Sequence, residues 1–160
     1  MDFKKLYIDG QWVAPLSGQY IDVENPATKE VFKTVAAAGE QDVAAASAAA
    51  AKAFPAWAAR PMEERIDFMR KLLKELIQFE PQMVDATVKE LGIPVSFVKT
   101  NHIAYQFVRT QSYIDLAPDL PLVEKLPQSV VYRRPLGVIG CITPWNYPLG
   151  QVIQKSSRLF

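Results

Sequence analysis

Residues 134–149 read Arg134-Pro135-Leu136-Gly137-Val138-Ile139-Gly140-Cys141-Ile142-Thr143-Pro144-Trp145-Asn146-Tyr147-Pro148-Leu149. Physically this is an apolar strand, a stiff loop and the start of a helix. The continuous run from 138 to 142, bounded by Gly and Pro, predicts a strand covered on both faces, as in the parallel sheet of an α/β protein. Pro144 and Pro148 restrict φ on either side of Trp145-Asn146-Tyr147 and set the directions of those side chains. Ligands of open α/β sheets bind beyond the carboxyl ends of the strands, where Asn146 falls. A loop asparagine can also simply bridge its own turn. Gly137-Val138-Ile139-Gly140 is not a dinucleotide fingerprint, because the third Gly is missing and the glycines do not follow the strand.

Toward the amino end the pattern is helical. An extended segment at Ser129-Val130-Val131-Tyr132-Arg133 follows Pro118 and Pro121, which close a helix predicted over 95–116 with Val98, Phe107, Val108, Tyr113 and Ile114 as its apolar residues. A helix over 81–91 ends at Gly92, with Pro94 beyond as a stop signal. The helix before it starts at Pro61, carries Glu63 and Glu64 in its first turn, and presents Ile66, Met69, Leu72, Leu73, Leu76 and Ile77 at spacings of three and four. Ala-rich residues 41–53 predict a further helix that packs closely on a neighbour and is ended by Pro55. The front of the chain alternates. Leu6-Tyr7-Ile8, Asp9-Gly10 and Gln11-Trp12-Val13 form a hairpin signal, and residues 20–24 and 30–35 read as a second pair across Asn25-Pro26-Ala27-Thr28.

Composition excludes several functions. The chain has 160 residues, 49% hydrophobic and 22% charged, with a net charge of +1. That balance describes a soluble domain with a core and gives no basic field for nucleic acid. A single cysteine allows no internal disulfide, and no apolar run is long enough for a bilayer, so a cytoplasmic protein without membrane or nucleic-acid partners is expected. No metal site is expected: His102, the one histidine, has no second ligand at i+3 or i+4. Cys141 inside an apolar strand reads as a small hydrophobe rather than a nucleophile, and Glu90 as a solvated helix-end residue.

The segment Pro135-Leu136-Gly137-Val138 followed by Pro144-Trp145-Asn146-Tyr147-Pro148 resembles the loop after the first strand of the dinucleotide-binding fold in the aldehyde dehydrogenase superfamily. The order of other motifs agrees: Tyr7-Ile8-Asp9-Gly10-Gln11-Trp12-Val13, Asn25-Pro26-Ala27-Thr28, Asp42-Val43, Ala53-Phe54 with Trp57, and Arg65 with Leu72. The likeness runs from residue 6 to about 155. It implies an α/β fold of helices and front hairpins plus the first strand, loop and helix of a Rossmann-like parallel sheet. It implies residues 1–117 and 136–160 as part of a cofactor-binding domain and 118–135 as an arm pairing with another subunit, hence a homo-oligomer. The activity implied is oxidation of an aldehyde to a carboxylic acid with NAD or NADP. Asn146 matches the asparagine whose amide stabilises the oxyanion, and Ile142, Thr143, Pro144 and Trp145 match the segment lining the nicotinamide.

In the family the nucleophilic cysteine, the glutamate base and the residues reading the cofactor's riboses all follow this loop. The catalytic domain is thus expected to be absent from these residues, and the chain alone inactive. Ser156-Ser157-Arg158-Leu159-Phe160 departs from the family, which predicts a truncated or frameshifted reading frame. Two other readings are a split-enzyme half completed by a second chain and a non-catalytic module that binds an intact homologue through residues 129–133. With no partner strand, residues 138–142 should expose unpaired backbone and apolar side chains.

Overall fold

The computed structural model describes residues 2–156. At the front, β1 (Leu6–Ile8) pairs antiparallel with β2 (Gln11–Val13), and β3 (Tyr20–Glu24) with β4 (Val31–Ala36). The Asp9-Gly10 turn has positive φ at both residues, +48° and +78°, the geometry that matches the twist of a two-residue hairpin. Between β3 and β4, Asn25 Oδ1 accepts a bond from the Ala27 N–H at 2.9 Å, the local closure that an Asn before Pro favours.

The helices follow: α1 (Glu40–Ala58), α2 (Met62–Gln78), α3 (Glu80–Leu91), then α4 (Val95–Phe97), a π-helical segment (Val98–Ala104) and α5 (Tyr105–Leu116) in direct succession. A hairpin of β5 (Val123–Leu126) and β6 (Ser129–Tyr132) comes next, and α6 (Pro148–Ser156) last. Two apolar clusters hold the helices together. Ile66, Met69 and Leu73 of α2 pack with Ile114 of α5; Val84 of α3 packs with Val98 and Ile103, and Leu149 of α6 lies against that second cluster. Phe107 touches both.

Several expectations are corrected. Pro55 does not end α1, which runs on to Ala58. A proline removes only its own N–H, and near a helix end little remains to be lost; the Trp57 ring beyond it meets Phe68 edge-on at 5.4 Å. Nor is α1 packed closely on a neighbour: apart from Asp42 its residues are exposed or half-buried. Alanine propensity forms the helix, but burial needs a surface opposite it. Pro61 stands at the N-cap rather than the first helical position. Leu72, Ile77 and Val108 are exposed, because the apolar stripes are wider than the surfaces that meet them. The extended segment at 129–132 has its own partner in β5, a strand the sequence reading missed.

The largest correction concerns residues 138–142. They form no strand, whereas the exposure of Val138, Ile139 and Ile142 is what the lack of a partner strand predicts. Parallel pairing requires a second strand reached through a crossover. Among the described residues the sheets are three antiparallel pairs, and none supplies that strand. The part of the expected fold that closes on itself is present; the apolar run has no paired strand among the described residues. Of residues 156–160, where a departure from the family is expected, residues 157–160 lie outside the described residues.

Gly92 closes α3 in the left-handed region, φ +62°, with Pro26 Cγ 2.8 Å from where a Cβ would stand. Gly92→Ala should therefore lower stability by roughly 1–3 kcal/mol, read as a reduced urea midpoint at unchanged slope. The loss should exceed that of Gly10→Ala, where φ is +78° but nothing lies within 4 Å of the added carbon; equal losses would refute the contact. Asp42 is buried and accepts from the Gly39 N–H at 2.9 Å and the Leu16 N–H at 3.1 Å. Asp42→Ala strips the acceptor from both donors and should cost about 1–3 kcal/mol by the same measurement, with Asp42→Asn intermediate.

Candidate functional site

The loop between the apolar run and α6 is placed by a few contacts at its carboxyl side. Pro148 opens α6, fitting a first-turn position where no N–H is needed. Leu149 is half-buried against the cluster of Val84, Val98 and Ile103, and Gly150 is buried against Gln106. A Cβ on Gly150 would stand 3.0 Å from Gln106 Nε2, so the absence of a side chain sets how closely α6 approaches α5. From α6, the Lys155 ammonium donates to the Ile142 carbonyl and ties the loop's entrance to the helix.

Asn146 is exposed, as are Ile142, Thr143, Pro144 and Trp145. Ile142 retains 90% of its accessible surface and Trp145 84%, far more than large apolar side chains keep once packed. The amide of Asn146 and the backbone of 142–145 thus share one open stretch of chain carrying uncharged donors and acceptors. Such groups can orient a ligand by hydrogen bonding, whereas a pyrophosphate calls for clustered N–H groups or cations. Gly137 and Gly140 stand in open space and hold no close cradle.

Tyr147 turns the other way. Its ring stacks on the His102 imidazole with centroids 4.2 Å apart and planes 3° from parallel. Phe97 meets the same imidazole edge-on at 5.7 Å. His102 lies in the π-helical segment and is only 2% exposed. The sequence reading dismissed this residue because it has no ligand partner, and missed that it faces the loop. A signal was available: His102, Gln106 and Thr110 recur at every fourth position, and all three are buried. Polar residues on one stripe of a helix, each inside, imply a second element laid over them. Thr110 satisfies its hydroxyl by donating to the Gln106 carbonyl at 2.8 Å, whereas Gln106 Oε1 is buried with no partner. Thr100 and Asn101 donate into the carbonyls of Ser96 and Phe97, competition that accompanies the wider π turn.

Cys141 is exposed rather than buried, a consequence of the unpaired run in which it sits. The chain's one histidine is engaged with Tyr147, and no hydrogen bond joins a base to the Cys141 sulfur among the described residues. Glu90 is exposed near the end of α3, and partial shielding raises its carboxyl pKa. Among the described residues, no three His, Cys, Asp or Glu side chains group as metal ligands, and no helix is long and apolar enough to cross a membrane.

Comparison with known proteins bears on what such a loop does. The model of the aldehyde dehydrogenase family matches residues 12–158. The chain is 33% identical over 159 residues to an aldehyde dehydrogenase homologue of Staphylococcus epidermidis, covering 99% of this chain and 34% of that protein. It is 30% identical over 155 residues to the 3-succinoylsemialdehyde-pyridine dehydrogenase of a Pseudomonas species, covering 96% of this chain and 32% of that one. Among solved structures, the Mycobacterium tuberculosis aldehyde dehydrogenase complexed with NAD+ superposes with a TM-score of 0.90 at 30% identity, covering 97% of this chain and 33% of that one. A variant of aldehyde dehydrogenase C from Pseudomonas syringae, complexed with NAD+ and octanal, gives 0.89 at 33% identity, with 94% and 31% covered. The chain spans about a third of the length of the relatives it matches.

Burial holds the His102 imidazole below its ordinary pKa. The unfolded chain then takes up a proton more readily than the folded one. This contribution to stability is complete above the unfolded value of about 6.5 and is lost as pH falls through the lowered folded value. Urea midpoints should therefore drop between pH 7.5 and pH 5.5, and His102→Phe should flatten that drop. An unchanged slope in the variant would show that other groups carry it.

Proposed function

Since the chain belongs to the aldehyde dehydrogenase family, we propose that residues 142–146 form one wall of an NAD(P)-dependent aldehyde-oxidising site, with Asn146 as its oxyanion donor. The observation that carries this reading is the family match over residues 12–158, a range that includes Pro144-Trp145-Asn146-Tyr147-Pro148, at a place where Asn146 stands open beside equally open backbone. When a thiolate adds to an aldehyde, the carbonyl oxygen takes on full negative charge. A fixed amide N–H directed at that oxygen lowers the barrier because it is already oriented when the charge appears. The bracketing prolines and the Tyr147 anchor supply that orientation. The backbone of Ile142, Thr143, Pro144 and Trp145 would hold the nicotinamide end of the cofactor, which when bound supplies the hydride acceptor. NAD+ in the Mycobacterium and Pseudomonas syringae structures supports this cofactor class.

Residues 1–117 and 136–160 are assigned to the cofactor-binding domain, and 118–135 to an arm that pairs with another subunit of a homo-oligomer in the cytoplasm. The exposed β5–β6 hairpin suits such an arm, since both of its outer edges carry unpaired backbone groups. The nucleophile is not assigned to Cys141. A reactive thiolate needs a base, cation or helix amino end beside it, and none is bonded to that sulfur among the described residues. A polypeptide of these 160 residues alone is therefore expected to oxidise no aldehyde.

Joining residues 1–155 to the remainder of the Pseudomonas syringae enzyme tests the assignment. The fusion should reduce NAD+ in the presence of octanal, while the 160-residue chain alone gives no NADH absorbance and no acyl adduct. In the fusion, Asn146→Ala should lower kcat by about 10²–10³, or roughly 2.7–4 kcal/mol of barrier. Full kcat in a folded Asn146→Ala fusion, or an acyl adduct on the isolated chain, would overturn the reading.

A further inference from the structure

We propose that His102 is a positioning residue for the Asn146 loop: its buried ring is the flat support on which Tyr147 rests, and that stack holds Asn146 in one place. The inference rests on the role given to Asn146 above and adds a residue from the helical half of the chain to the same site.

The geometry carries it. From 141 to 146 the loop is exposed throughout, and Tyr147 is the first residue after Asn146 to reach the interior. There its ring meets the His102 imidazole face-on, at 4.2 Å and 3°. Nearly parallel planes at that spacing restrict tilt of the phenol ring in a way a rounded aliphatic surface does not. The imidazole cannot swing aside, because it is 2% exposed and Phe97 stands edge-on to it at 5.7 Å. One peptide link separates the Tyr147 backbone from that of Asn146, and Pro148 follows immediately, so fixing the Tyr147 ring leaves the asparagine little freedom.

Two further features fit the same purpose. His102 lies in the π turn over Val98–Ala104, one turn before Gln106, against which Gly150 of α6 packs. π turns inside longer helices commonly mark functional positions. Gly150 lets α6 come down onto Gln106, to the point where an added Cβ would stand 3.0 Å from Nε2, and so brings the start of α6 and the adjoining Tyr147 to the height of the imidazole. A histidine kept only to fill volume would require neither the parallel ring nor the close helix approach.

The test reads the loop directly in the 160-residue chain by NMR, without any activity. In the native chain the His102 ring protons should be shifted upfield by the Tyr147 ring current, and the shift should vanish in Tyr147→Leu. The Asn146 backbone amide should be ordered, and its order parameter should fall below about 0.6 in His102→Leu and in Tyr147→Leu. His102→Phe, which restores a flat ring, should bring the order back, while the Ile66 and Ile114 methyl signals remain in place as the mark of an intact core. If His102→Leu does not fold, Tyr147→Leu, made at a half-buried position, gives the same reading from the loop side. An Asn146 amide equally ordered in all variants, or no ring-current shift in the native chain, overturns the proposal. Should the loop respond as described while Asn146→Ala leaves the fusion's kcat intact, the anchoring stands and the oxyanion role falls.

Discussion

Phe107 lies where the two apolar clusters meet, and the arrangement of the helical half depends on it. On one side it joins Ile66, Met69, Leu73 and Ile114; on the other it joins Val84, Val98, Ile103 and, through them, Leu149 of α6. Its contact with both clusters adds to the direct packing of α2 on α3, which follow one another across Phe79. Close packing makes such a junction stiff, since side chains in a filled interior have few alternative rotamers. The stiffness passes to α6 through Leu149 and Gly150, and from α6 to the loop that precedes it.

That loop is anchored on one flank and open on the other. Its carboxyl side is tied down by the His102–Tyr147 stack and by the buried Gly150, while its amino side is held by the Lys155 contact to the Ile142 carbonyl. Between them, Trp145 and Ile142 remain almost fully accessible. The apolar run leading in offers both backbone edges and both faces to any strand that pairs with it. Contiguous exposed apolar surface is a common feature of sites where proteins or ligands meet.

Local chemistry was legible in the residues. Asp9-Gly10 specified a two-residue hairpin because both positions need positive φ, and Asn25-Pro26 specified a turn because proline excludes the helical region before it. Gly92 before Pro94 ended α3, and the spacing of Ile66, Met69 and Leu73 picked out the buried stripe of α2. The Pro-bracketed Asn146 stood out for the same reason: rigid punctuation around polar and aromatic side chains is visible one residue at a time. Pro55 was misread because a proline's effect depends on how much helix follows it. The β5 strand was missed because Val123-Glu124-Lys125-Leu126 pairs only with its own neighbour and has no apolar face to announce it.

By itself the sequence determined the two front hairpins, most of the helices and the stiff loop, which follow from backbone preferences and short-range periodicity, and its motifs pointed to the family. Tertiary structure alone decided that residues 138–142 form no strand, that α1 stays exposed, and that His102 lies under Tyr147. Those outcomes depend on which surfaces are present to cover one another. Whether a strand finds an edge, or a ring finds a face, is a property of two distant segments together and is written in neither of them.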